Sequence, residues 1–175
     1  MTMNQSVVRD AFLRQDEACE KLGSPFTARV CRLAGQRLLP GGAVADTILG
    51  WQGDPSALGD SVPLRLCGAL HALVMTGRSS SLAALYPPHH EGISDDELWV
   101  AVATALTEHK AFILDRLTGP PQTNEVRRVG ATLPMFLEVT RQTGLPLVLS
   151  EVGASAGLNL HPDHYHVDLG GLSRG

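Results

Sequence analysis

Apolar residues recur at three- and four-residue spacing along most of the chain, the pattern of helices with one buried face. Val8, Phe12, Cys19 and Leu22 form the first stripe, which Ser6 can cap and Gly23 can close in a left-handed turn. Ser24 and Pro25 open a second helix carrying Phe26, Val30, Leu33, Ala34 and Leu38, and Pro40-Gly41-Gly42 ends it. Two consecutive amphipathic helices with so short a joint are expected to pack as a hairpin. A short helix over residues 43–49 and a Gly, Asp and Pro-rich connection over 50–60 follow.

Ser61 starts a helix through Leu66, Leu70 and Leu73 to Gly77, with His71 near its middle, and another turn or two is expected over 79–85 before Tyr86-Pro87-Pro88. Ser94 and Glu97 spell a capping box. The stripe Leu98, Val102, Ala105, Leu106, His109, Phe112, Ile113 and Leu117 predicts the longest helix of the chain, stopped by Gly119-Pro120-Pro121. From Thr123 a further helix is expected to about Gln142, with Val126, Val129, Leu133, Phe136 and Leu137 inward and Gly144 as terminator. Pro134 inside it should kink or split the helix, because proline has no N–H and crowds the preceding turn.

The character then changes. Residues 147–152 (LVLSEV) are a nearly continuous apolar run suited to a strand buried on both faces, and 165–169 is a weaker strand candidate. The run opens into a loop of glycine, alanine and serine, where backbone N–H groups can face a phosphate, a carboxylate or a ribose. A parallel sheet needs several strands and crossovers, and few residues follow Gly153. The expectation is therefore a mainly α chain: a helical domain over residues 1–144, then, over 145–175, the first strand and Gly-rich loop of an incomplete, truncated Rossmann-like α/β domain.

Composition narrows the function classes. With 43% hydrophobic and 18% charged residues the chain reads as soluble and globular. A formal charge of -4 leaves no basic face for nucleic acid, and Arg127-Arg128 is too small a cluster to supply one. No membrane span or secretory leader is evident, so the protein is expected to be cytoplasmic. Cys19, Cys31 and Cys67 each fall on an apolar helix face, as small buried hydrophobes in a reducing compartment do.

Three passages together resemble one uncharacterised bacterial family, domain of unknown function 2332. They are residues 65–77 (RLCGALHALVMTG) with Tyr86-Pro87, residues 122–128 (QTNEVRR) and residues 151–165 (EVGASAGLNLHPDHY); Cys19 and Gly23-Ser24-Pro25 fit as well. Members of that family are longer, which agrees with the truncation expected from the missing strands. The resemblance implies no established activity. Its second half is similar to Rossmann-like S-adenosylmethionine-dependent methyltransferases, which implies that Glu151, Gly153, Ser155 and Gly157 belong to a cofactor site. It leaves too short a crossover before Asp168 for that residue to serve as the ribose-binding acid.

Each candidate has a plainer reading. Gly153-Ala154-Ser155-Ala156-Gly157 also spells GxSxG, the nucleophile elbow of serine hydrolases, but the acid and histidine it needs downstream occur only as neighbours on one short loop. His164, His166 and Asp168 could line one face of a strand as metal ligands, with His161 and Asp163 nearby, yet solvent-facing histidines need no metal, and none is assigned. Asn124 and Glu125 either start a helix or project into the crevice of the glycine loop as catalytic or substrate-binding groups. His71 and His109 read first as core histidines, with His71 a further catalytic candidate.

The leading expectation is a methyltransferase-like enzyme acting on a small molecule, inactive or weakly binding over these residues alone. Its rival is a non-catalytic helical interaction or assembly module, forming a homo-oligomer through the C-terminal strand.

Overall fold

The chain is seen here as a computed structural model that describes residues 3–121, 125–168, 170, 173 and 174. Helices α1 (Met3–Lys21) and α2 (Pro25–Arg37) form the expected hairpin. Gly23 turns it at a φ of 74°, a left-handed conformation that costs glycine nothing. Val8, Phe12 and Cys19 are buried from α1, and Val30, Leu33, Ala34 and Leu38 on the α2 side; Leu22 is exposed instead, because it lies in the turn beyond the helix. The backbones approach closely at Gly35, where a Cβ would stand 3.1 Å from Phe12 Cβ. Arg9 of α1 reaches across the same crossing. Its Nη1 donates to the Gly35 carbonyl at 2.7 Å and its Nη2 to that of Leu38, so two carbonyls of the last turn of α2 gain a charged donor.

Helix α3 (Ala43–Leu49) has the expected bounds, and α4 (Val62–Met75) buries Leu66, Leu70 and Leu73 completely. The short α5 (Ser80–Ala83) is capped by Ser79. The expected long helix is divided: α6 (Asp95–Glu108) and α7 (Lys110–Leu117) meet at His109, whose ψ of 26° bends the path. Hydrogen bonding runs on through the joint, from His109 N–H to the Ala105 carbonyl and from Ile113 N–H to that of His109, each at 3.0 Å. The bend has a packing reason: α6 lies on α2 and α5, α7 lies chiefly on α4, and both touch α3. The longest helix among the described residues is α1.

At the start of α6 the capping box forms in both directions, with Ser94 N–H donating to Glu97 Oε2 at 2.8 Å and Glu97 N–H to Ser94 Oγ at 3.2 Å. The acidic first turn also ties α6 to α2. Arg29 Nε stands 2.6 Å from Asp95 Oδ1, and Arg37 Nη1 the same distance from Asp96 Oδ1. The hydrogen bond from Arg29, then the charges of Arg29 and Arg32, hold the Asp95 carboxyl below its ordinary value.

The chain divides into two compact units, Met1–Pro121 and Gln122–Gly175. In the second, α8 (Arg128–Thr143) runs unbroken through Pro134 and stops at Gly144, whose φ is 67°. Its inward stripe is thinner than expected: Val129 is buried, Leu133 and Phe136 are half-buried, and Leu137 is exposed. Residues 147–152 form no strand. Val148 is 96% and Val152 104% exposed, and a strand without a ladder partner has nowhere to send its N–H and C=O groups. The strands among the described residues are β1 (Val167–Asp168) and β2 (Ser173–Arg174), paired antiparallel as a two-residue ladder; the weaker strand candidate at 165–169 thus contributes Val167 and Asp168. Among the described residues, nothing reproduces the opening strand of a Rossmann-like domain.

Two outcomes follow for the first unit. Arg9→Met keeps the apolar stem but strips the donors from the end of α2, and should cost about 1–3 kcal/mol in urea denaturation. Asp95, with its depressed folded value, stabilises the fold above its ordinary pKa of 3.8 and loses that contribution as pH falls through the folded value. Asp95→Asn should therefore flatten the fall in thermal midpoint measured below about pH 4.

Candidate functional site

The second unit brings two of the passages singled out in the sequence together through one side chain. Arg128, the first residue of α8, donates from Nε to the Glu125 carbonyl at 3.3 Å and from Nη1 to Glu151 Oε1 at 3.3 Å. It thus joins the start of the helix to the acid that ends the apolar run. Glu125 is exposed, and its Oε1 accepts the Arg127 N–H at 3.0 Å, so its carboxylate turns to the backbone at the helix start and not into a crevice. Asn124, with Gln122 and Thr123, lies outside the described residues.

Beyond Glu151 the chain reverses through Gly153, Ser155 and Gly157, with φ values of 71°, 51° and 72°. Ser155 is a non-glycine residue held in the left-handed region, where its Cβ crowds the backbone. Gly157 N–H closes the loop on the Ala154 carbonyl at 2.7 Å, so this donor of the loop is already engaged. No α-helix follows. A single 3₁₀ turn, Leu158–Leu160, comes next, and the strand–turn–helix context of a nucleophile elbow is absent among the described residues.

That turn places Asn159 and Leu160 beside Glu151. The three line a pocket of about 370 Å³ together with Arg128, Phe136 and Leu149. The lining mixes charged and polar side chains with apolar ones, as small-molecule sites tend to do. Two acceptors in it, Glu151 Oε2 and Asn159 Oδ1, are buried without a hydrogen-bond partner among the described residues. Buried polar atoms are normally paired, and an unpaired one is costly. Of the expected cofactor set, Glu151 lines the pocket, whereas Gly153, Ser155 and Gly157 form the bend that returns the chain to it. Sequence reasoning missed Arg128 and Asn159. Their signals were present: a cation three residues after Glu125, and one amide between two leucines.

The histidines arrange differently from the strand-face expectation. His164 ends a 3₁₀ turn, Pro162–His164, and β1 begins only at Val167. Ligand-bearing atoms of His161, Asp163 and His164, all exposed, lie within 4.8 Å of one another. Asp168 Oδ1 instead accepts the Gly170 N–H at 3.0 Å, a turn contact. His71 and His109 belong to the first unit. His71 is exposed and not a core residue, stacked on Tyr86 at 6.2 Å between ring centroids; His109 is half-buried at the bend between α6 and α7. Among the described residues, no helix is long and apolar enough to cross a membrane.

The unpaired acceptors make a stability prediction. Asn159→Leu removes one of them at little change in size, and should leave the thermal midpoint unchanged or raise it by the equivalent of up to about 1 kcal/mol. A clear loss of stability would mean that Oδ1 has a partner in the folded chain.

No curated protein and no solved structure shows significant similarity to the chain. One protein family does match, over residues 9–175, and its description is "Uncharacterized protein conserved in bacteria (DUF2332)". The match takes in the α1–α2 hairpin, the helices that follow and the Glu151 pocket, and the chain belongs to this bacterial family of unknown function.

Proposed function

We propose that the second unit binds S-adenosylmethionine and that the protein is a methyltransferase-like enzyme acting on a small molecule. The observation that carries the reading is the pair of buried, unpartnered acceptors, Glu151 Oε2 and Asn159 Oδ1, in a pocket that also holds the Arg128 guanidinium. An α-amino-acid group has the matching chemistry. Its ammonium offers donors to the two oxygens, and its carboxylate offers a partner to arginine. S-adenosylmethionine carries such a group. Phe136, Leu149 and Leu160 give the pocket an apolar wall for the rest of the molecule.

In this reading Glu151, Asn159 and Arg128 hold the amino-acid end, and the bend at Gly153, Ser155 and Gly157 lets the ligand approach the backbone. The bound cofactor supplies an activated methyl group for in-line transfer, and the protein's part is to orient it and the substrate. Residues 145–175 then open a Rossmann-like domain, with residues 147–152 becoming a strand only when a ladder partner lies alongside. Asn124, in the same sequence passage as Arg128, is the candidate to receive a substrate's amine or hydroxyl.

A second reading is favoured by the bare apolar surface of residues 145–152. Leu145, Val148 and Val152 are strongly exposed, which suits a non-catalytic module that buries them against another copy or another protein.

Calorimetry separates the two. Titration with S-adenosylmethionine or S-adenosylhomocysteine should give saturable heat with a Kd at or below about 1 mM, and Glu151→Gln should weaken binding about tenfold or more. No heat, with association that rises with protein concentration in light scattering, would discard the cofactor reading in favour of the assembly module.

A further inference from the structure

The three cysteines of the chain, scattered in sequence, meet in the core of the first unit. Cys31 of α2 and Cys67 of α4 stand 3.6 Å apart, sulfur to sulfur. Cys19 of α1 lies close enough to Cys31 to perturb it, and takes a hydrogen bond from Gln15 Nε2 at 3.4 Å. Accessibility differs along the pair. Cys31 is fully buried, whereas Cys67 is half-buried, next to the exposed Gly68 and one turn before the exposed His71. Tyr86 is within electrostatic reach of both sulfurs, and burial keeps its phenol neutral. Its ring packs edge-on against Phe26 at 4.7 Å.

We propose that Cys31 and Cys67 form an oxidant-sensitive dithiol site that a hydroperoxide converts to a disulfide linking α2 to α4. The sulfurs are in contact, and bond formation needs them to close by about 1.5 Å, within reach of small side-chain rotations on neighbouring helices. The order of events follows from exposure. The Cys67 thiol gives up its proton and its sulfur attacks the terminal oxygen of the hydroperoxide; the O–O bond breaks, the departing alkoxide (hydroxide, for hydrogen peroxide) takes up the proton that the thiol gave up and leaves as the alcohol or water, and Cys67 is then a sulfenic acid. The Cys31 sulfur attacks the Cys67 sulfur, the S–S bond forms, and the S–O bond breaks. Hydroxide leaves and takes up the Cys31 proton as water. Two electrons pass from the two sulfurs to the peroxide bond, so the step balances with the hydroperoxide as sole oxidant. The hydrogen bond with Cys67, then burial, push the Cys31 thiol far up, which fits it as the resolving partner and not the first nucleophile. Cys19, also pushed up by burial, stays a thiol.

The test is peptide mapping of the intact chain after treatment with hydrogen peroxide at one equivalent. The expected result is a Cys31–Cys67 linked peptide, a fall from three titratable thiols to one under denaturing conditions, and full recovery with dithiothreitol. Cys19→Ser should form the same link, and Cys31→Ser should accumulate a Cys67 sulfenic acid that dimedone traps. Three surviving thiols, a link through Cys19, or irreversible oxidation of Cys67 without the linked peptide would each overturn the proposal. The wild-type map decides the matter even where a serine variant fails to fold.

Discussion

The first unit depends on one crossing, where α1 and α2 come together at Gly35 under the guanidinium of Arg9. A side chain larger than hydrogen at position 35 would press tightly on Phe12 and Leu13, and without Arg9 the final carbonyls of α2 would lose their charged partner. Close approach and helix termination are thus met by two residues that face each other. Everything else on α2 takes its place from this crossing. Its inner face carries Cys31 to Cys67 of α4, and its outer arginines reach the acidic first turn of α6. The apolar contacts supply most of the stability, but they are non-directional, and the polar clasp is what fixes the register in which they are made.

The second unit is organised on different terms. Val129 is its buried apolar side chain among the described residues, and its connections are polar: Arg128 to Glu125 and Glu151, and Glu138 to Arg141 and Gln142. A region with little core cannot easily carry unpaired buried acceptors, because each subtracts from a small margin. That Glu151 and Asn159 nevertheless keep buried oxygens at a pocket is what makes the place the candidate site. Binding a group that donates to both would remove the penalty and stabilise the unit in the same step.

Much of the helical frame was legible in the sequence because its signals are local. Gly23, the Ser94–Glu97 box and Gly144 act within one turn, and each does what its position implies. The bend at His109 was not legible, since hydrogen bonding and apolar spacing both continue through it and only the change of packing neighbours demands it. Residues 147–152 show the opposite failure. Their apolar run describes a buried strand, but a strand exists by virtue of a partner, and partnership is not encoded in the run itself. The meeting of Cys31 with Cys67, and the role of Arg9, depend on helix pairing at long separation and leave no mark in local spacing. Glu151 was found because a loop of small residues follows it. Arg128 and Asn159 were missed because each is only a weak signal alone and gains weight when the fold brings both to one pocket.

Amide hydrogen exchange on the intact chain, with and without saturating S-adenosylhomocysteine, tests the central claim most directly. If the acceptors of Glu151 and Asn159 define a ligand site, added protection will be confined to the first turns of α8 and to residues 148–160, with the helices of the first unit exchanging as before. Unchanged exchange across 148–160 at a concentration of several millimolar, or protection that appears only in the first unit, would contradict it.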